Sequence, residues 1–232
     1  MWYKVKRIMV GDKQVRPSYE WTPDASRTLL YLPLESNATD YSWNSRSTSP
    51  SNITYANLWW VMCANANGSS SKISVTPTTF LSSSDTQGTM SMLVYGSSRS
   101  STARQAIEFA SSTSWVILRY QTNDNRTLIG WFDWFRPNPS VNNWHHIVLT
   151  FDSSYCYCYI DGEYYWTTNR SIDDTPIWWR SPDVTWFNVF ANRSWNTNRW
   201  SWWGRELIFE NIKWSAEDVS KYYQRIKAKL WF

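Results

Sequence analysis

Glycine is scarce in this chain, with seven in 232 residues, under half of its usual share of roughly 7%. Cysteine is scarcer still: Cys63, Cys156 and Cys158 are the only three, and an odd count at such spacing excludes a disulfide framework. Cys156 and Cys158 lie two apart in a strand-like run, so they share a face with Ile160 and read as small core hydrophobes. Histidine occurs only as the adjacent pair His145 and His146. Neighbours in a strand point to opposite faces, which excludes both from chelating one ion and favours structural roles. No apolar run approaches the length of a membrane span. The opening M-W-Y-K-V-K-R-I-M-V-G lacks the apolar core and small-residue cleavage site of a secretory leader. The chain is therefore expected to be made soluble and, by itself, to stay in the cell that makes it. The net charge is only +4, and the basic residues are scattered. Their one dense stretch, Lys221, Arg225, Lys227 and Lys229, alternates with Tyr222, Tyr223 and Ile226. That pattern reads as the solvated face of an amphipathic helix, not as a nucleic-acid patch.

What the chain does have is a long series of short apolar runs. A length of 232 residues suits one large β-sandwich and buries enough core to need no disulfide staples. Residues 3–10 and 13–15 alternate around Gly11-Asp12 and predict an N-terminal hairpin, followed by a link that Pro17 and Pro23 bracket. Apolar runs follow at 29–34, 60–63, 90–95, 115–120, 147–151, 156–160, 184–190 and 207–212, while the Ser, Asn and Thr-dense stretch 36–57 reads as loop. Short strands punctuated by turns predict an all-β fold, a two-sheet antiparallel sandwich. The expected division is an anchor hairpin and link over 1–24 and a sandwich over 25–232. Near the end, Ser215-Ala216-Glu217-Asp218 has the form of a capping box, and Val219, Tyr222, Tyr223, Ile226 and Leu230 recur at helical spacing. One short helix is expected to close the chain.

Three motifs occur in a telling order. Asn143-Trp144-His145-His146-Ile147-Val148-Leu149-Thr150-Phe151-Asp152 is followed by the hairpin Cys158-Tyr159-Ile160-Asp161-Gly162-Glu163, in which Asp161-Gly162 supplies a positive-φ turn. Glu206-Leu207-Ile208-Phe209-Glu210-Asn211-Ile212 then leads into the capped helix. This succession resembles the laminin G-like domains of the concanavalin A-like superfamily, with their W-H-H strand, Y-[VI]-D-G hairpin and closing strand and helix. Leu29 to Asn44 resembles that fold's first strand and D-x-S-G-N loop. The resemblance implies a jelly-roll sandwich, often glycan-binding and sometimes calcium-dependent.

Against the glycine shortage stand 19 tryptophans. Ser42-Trp43-Asn44 and Ser194-Trp195-Asn196 read as Ser-Gly-Asn turns, and Trp200, Trp203 and Trp231 also fall in turn contexts. Trp178-Trp179 stands where the resemblance implies a small-residue pair. A bulky residue at positive φ is a steric outlier, whereas glycine adopts that conformation freely. The pattern predicts a gene in which UGA means glycine, read here as tryptophan. Trp144 and Trp214 read as true tryptophans, and Trp21 and Trp131 stay open. Glycines cannot stack on sugars, so the tryptophan richness loses its value as a sign of sugar binding.

Catalytic chemistry is not evident. A glycosidase on this fold needs two carboxylates facing one bond, but Glu20, Glu35, Glu108, Glu163, Glu206, Glu210 and Glu217 read as scattered or superficial. No Ser-His-Asp arrangement, phosphate loop or zinc spacing occurs, so the chain is expected not to be an enzyme. Asp40 could join a calcium site of oxygen ligands or form an ordinary Asx-turn; no other cofactor is expected. The loop bearing Asn192, Arg193, Asn196, Asn198 and Arg199 could contact a glycan or a partner protein, or be a plain solvated loop. Three functions compete: a virion or tail-fibre module contacting a cell-surface glycan or protein, a cellular lectin or adhesin, and a divergent glycoside hydrolase. The first places the chain on a virion or extracellular surface. Its N-terminal hairpin, which resembles short openings of phage-like structural proteins, would then dock onto virion neighbours.

Overall fold

The computed structural model describes residues 8–10, 13–15, 23–68, 71–76, 86–96, 104–110, 118–123, 126–129, 133–135, 140, 142–169, 186–190 and 200–230. At the N-terminus β1 (Ile8–Val10) pairs antiparallel with β2 (Lys13–Val15) as a separate two-stranded sheet. There follow β3 (Thr28–Leu32), β4 (Ser47–Ser51), β5 (Ile53–Leu58), β6 (Val61–Gly68), β7 (Lys72–Thr76), β8 (Gly88–Gly96) and β9 (Arg104–Ala110). Next come β10 (Leu118–Asn123), β11 (Arg126–Ile129), β12 (Asp133–Phe135), β13 (Trp144–Phe151), β14 (Tyr155–Ile160) and β15 (Glu163–Asn169). The chain closes with β16 (Trp186–Val189), β17 (Trp200–Glu210) and the helix α1 (Ala216–Leu230).

Two antiparallel sheets make the sandwich. The seven-stranded sheet runs β12-β11-β10-β9-β16-β7-β4, and the eight-stranded sheet runs β15-β14-β13-β8-β17-β6-β5 with β3 also paired to β17. The all-β jelly-roll class and the single closing helix are as the sequence predicts. The stretch 36–57, expected to be loop, instead holds β4 and β5. These are the outer strands of the two sheets, where little apolar burial is demanded and where Pro50 within β4 is tolerated because an edge residue need not donate to a ladder.

The period-2 alternation of the central strands sorts side chains into two cores. Met90, Met92 and Val94 of β8, Ile147, Leu149 and Phe151 of β13, and Leu207 and Phe209 of β17 meet Ile73, Val75 and Val189 of the other sheet. The intervening residues Leu93, Tyr95, Trp144, Val148 and Ile208 face outward instead, under Val219, Tyr222, Ile226 and Leu230 of α1. Strand β8 is therefore buried on both faces over almost its whole length. The described residues thus form three layers: sheet, sheet and helix.

The helix begins as its capping box predicts. Ser215 Oγ accepts from the Asp218 N–H at 3.1 Å, and the Asp218 carboxylate accepts from the Ser215 N–H at 3.0 Å. The Asp161-Gly162 turn is likewise present. Both residues have positive φ, 55° and 84°, as a two-residue hairpin of right-handed strands requires. A Cβ on Gly162 would also lie 2.7 Å from the Tyr223 ring. Gly162→Ala is expected to cost more than about 1 kcal/mol, read as a lower denaturant midpoint with an unchanged slope.

Candidate functional site

Glycosidic catalysis on this fold would need two carboxylates facing one bond. Glu206 and Glu210, expected at the surface, are 1% and 0% exposed. Strand β17 passes from pairing with β6 (through Gly204) to pairing with β3 (from Leu207), and Glu206 sits at that hand-over with φ 54°. Its N–H donates to Pro33 O at 3.1 Å. The displaced backbone aims its side chain under α1. There the carboxylate accepts from Tyr31 Oη and Tyr222 Oη, both at 3.2 Å, and from Lys229 Nζ at 2.8 Å. Arg205 adds an ion pair to Glu35 and donates to Met62 O at 2.6 Å. Burial alone would raise the Glu206 pKa, but Lys229, Arg205 and Arg225 outweigh it and hold the group below the usual carboxylate range. Lys229, expected on a solvated face, is thus drawn inward. Glu210 accepts from Trp214 Nε1 at 2.6 Å and Thr28 Oγ1 at 3.2 Å. Glu206 thus ties β17 to α1, and Glu210 ties β17 to β3 and to the segment leading into the helix.

The histidines are structural in their contacts. His145 Nδ1 lies 2.8 Å from Asp161 Oδ2, while the other oxygen of Asp161 accepts from the His146 N–H at 2.9 Å. His146 is fully buried, 2.7 Å from Ser91 Oγ and stacked on Tyr222 and Tyr223. Burial pushes its pKa down to about 3. Cys63, Cys156 and Cys158 are buried, and burial pushes the Cys63 thiol up to about 12, far from nucleophilic readiness at neutral pH. Among the described residues no group of three or more His, Cys, Asp or Glu is placed to hold a metal ion.

Asp40 is buried, and its oxygens accept from Tyr31 N at 3.0 Å, Ser42 N at 2.8 Å, Ser42 Oγ at 2.9 Å and Arg46 N at 2.8 Å. The Ser42 N–H bond is the Asx-turn, and the others pin the loop to β3 and β4. Asn192, Arg193, Asn196, Asn198 and Arg199 lie outside the described residues.

One exposed aromatic surface lies elsewhere, on β15 at the edge of the eight-stranded sheet and on its neighbour β14; Tyr41, Trp43, Trp59 and Trp60 are exposed outside it. Cys156, Cys158 and Ile160 point into the sandwich, so alternation turns Tyr155, Tyr157 and Tyr159 to the outer face beside α1. Tyr159 faces Tyr164 across the hairpin, with ring centroids 5.7 Å apart and nearly perpendicular. Tyr155 and Tyr157 are 6.1 Å apart. A bulge at Cys158/Tyr159 makes Tyr165 the extra residue. Tyr155, Tyr164 and Tyr165 are 38%, 55% and 43% exposed. Lys213 Nζ lies 3.9 Å above the Tyr157 ring and 2.5 Å from Asp152 Oδ2, closing one end of the row. Such a surface has flat apolar faces with hydroxyl tips and a fixed cation–carboxylate pair. It can stack on a ligand and hydrogen-bond its rim. Cys156 and Cys158 share one face as their spacing predicts, and the same alternation, readable in the sequence, leaves the tyrosines on the other.

The fold is thus that of an all-β sandwich in which the buried carboxylates Glu206 and Glu210 are spent on architecture, while Tyr155, Tyr164 and Tyr165 face solvent. No protein-family model and no curated protein matches the chain. Solved structures of similar fold include the receptor-binding domain of the botulinum neurotoxin C/D mosaic serotype, with TM-score 0.67, 16% identity, and 87% of this chain and 52% of that one covered. The serotype G binding domain matches with TM-score 0.66 and 16% identity over 85% of this chain and 50% of that one. The serotype D ligand-binding domain, solved in complex with N-acetylneuraminic acid, matches with TM-score 0.62 and 16% identity over 85% and 50%. The chain spans about half the length of these binding domains, and the likeness is one of fold. No helix among the described residues is long and apolar enough to cross a membrane.

Proposed function

We propose that this chain is a non-catalytic binding or structural module of the concanavalin A-like, laminin G-like type, carried on a virion or tail fibre and contacting a cell-surface glycan or protein. The observation that carries the binding reading is the row of tyrosines on β14 and β15, three of them well exposed on a rigid sheet edge. Rigid aromatic rings contribute contact area at low entropic cost, and they dominate the energetics of many recognition surfaces. The burial of Glu206 and Glu210 in hydrogen-bonded structural ties supports a non-catalytic role. Solved proteins of this fold include binding domains, one of them in complex with a sialic acid. In this reading the β1–β2 hairpin, within an anchor segment 1–24, docks the sandwich 25–232 onto neighbouring virion proteins. The loop from Asn192 to Arg199 adds polar contacts to the ligand. The tryptophan excess is assigned to UGA codons that mean glycine. A cellular lectin or adhesin is the alternative reading.

The experiment is adsorption of the purified protein to candidate host cells, compared with Tyr155→Ser/Tyr164→Ser/Tyr165→Ser. The triple variant is expected to bind at least tenfold more weakly, about 1.4 kcal/mol, while remaining folded with a lowered midpoint, because each lost ring pair on the sheet is worth about 0.2–1 kcal/mol. Equal adsorption by both proteins would refute this surface. Peptides of the chain in purified virus particles are expected; their confinement to a cellular envelope would favour the adhesin.

A further inference from the structure

The hairpin joining β5 to β6 poses a steric problem that the hairpin joining β14 to β15 does not. Leu58 pairs with Val61, so only Trp59 and Trp60 make the turn. Both have positive φ, 52° and 71°, the type I′ geometry that two-residue hairpins of right-handed strands demand. The matching turn, between the paired Ile160 and Glu163, is Asp161-Gly162, residue types suited to it. Tryptophan is not suited, since a Cβ in the left-handed region crowds the neighbouring carbonyl. Positive φ in a bulky residue persists only where surrounding structure enforces it. Side-chain packing does not enforce it here, because the two rings are 68% and 96% exposed. The pairing register on either side requires the turn, and the side chains gain no burial from it.

The tryptophans with evident packing behave differently. Trp214 is buried, donates to Glu210 and packs on Tyr222, and Trp144 is buried against Tyr95. Neither has positive φ. Trp43 also lies outside the left-handed region, its loop placing Ser45 at φ 45° instead, and Trp200 and Trp203, expected in turns, stand within β17. Among the described tryptophans the backbone therefore singles out positions 59 and 60, and Trp60, expected at the head of an apolar strand run from 60 to 63, is a turn residue instead.

We infer that residues 59 and 60 are glycine in the protein its gene specifies, encoded by UGA codons that the producing cell reads as glycine. The β5–β6 tip is then a bare Gly-Gly turn. It presents no aromatic platform to a ligand, and the tyrosines of β14 and β15 stand as the exposed aromatic row. This inference does not depend on what the protein binds.

Two measurements test it. Peptide mass spectrometry of the protein from its natural source, across residues 53–66, is expected to return glycine at both positions; tryptophan at either would overturn the inference. In recombinant protein, Trp59→Gly/Trp60→Gly is expected to raise Tm by roughly 5 °C or more, since two strained residues are relieved at once. Trp214→Gly in the same background should lower it. A double variant no more stable than the parent would also overturn the inference, because the turn would then not be asking for glycine.

Discussion

Glu206→Ala is expected to lower the stability of the folded protein by about 3–5 kcal/mol, the usual result of removing one partner from a buried ionic cluster. The carboxylate is 1% exposed and serves three donors, Tyr31, Tyr222 and Lys229. Without it the two buried phenols each lose a hydrogen bond to a charged acceptor, a bond worth about 1.5–3 kcal/mol. Lys229 loses its shorter carboxylate contact, keeping only Glu35 at 3.5 Å. Because Glu206 also carries φ 54°, Glu206→Gly separates the two effects. It relieves the backbone and loses the same hydrogen bonds, so it should be destabilising, but less so than alanine. Chemical denaturation measures both, and a loss under about 1 kcal/mol for alanine would show that the cluster does not hold the helix. The acid dependence has a definite sign. The folded-state pKa is lowered below the ordinary 4.5, so this contribution is present above that value and is lost as pH falls below it.

His146 should make the protein acid-sensitive at higher pH than Glu206 does. Its pKa falls from 6.5 to about 3 because burial disfavours the charged ring, outweighing the carboxylates of Asp161 and Glu206. Below pH 6.5 the unfolded chain takes up a proton that the folded one refuses, so stability is lost progressively down to pH 3. At about 1.4 kcal/mol per pH unit that gap amounts to at most about 5 kcal/mol. The control is His146→Phe/Ser91→Ala. It removes both members of the 2.7 Å pair, so that no buried polar group is left alone, and keeps an aromatic ring against Tyr222 and Tyr223. Thermal unfolding from pH 7 to pH 4 should show a clear fall in Tm for the parent and a flatter profile for the double variant. Parallel profiles would mean that the ring is protonated in the folded state.

Much of the frame was legible because it rests on local chemistry. The W-H-H strand, the Asp161-Gly162 turn and the Ser215–Asp218 capping box each announce themselves within a few residues, and each is present. The outer strands β4 and β5 were not legible, since Ser47–Ser51 and Ile53–Leu58 sit at sheet edges where the apolar alternation that marks a strand is weak. The Glu206 cluster was hidden for a different reason. Tyr31 and Glu206 are 175 positions apart, and no spacing rule joins them. What places them together is a change of strand partner along β17. The tyrosine row lies between these cases. Its alternation with Cys156 and Cys158 is written in the sequence, but its exposure depends on where α1 stops covering the sheet.

The binding reading meets its most direct test in a glycan array run beside a polysaccharide-cleavage panel, with glycine at 59 and 60 and with or without the three tyrosine substitutions. Saturable binding with no release of sugar ends, weakened at least tenfold when Tyr155, Tyr164 and Tyr165 become serine, is the expected result. Turnover of any polysaccharide, or binding indifferent to those three tyrosines, would contradict it.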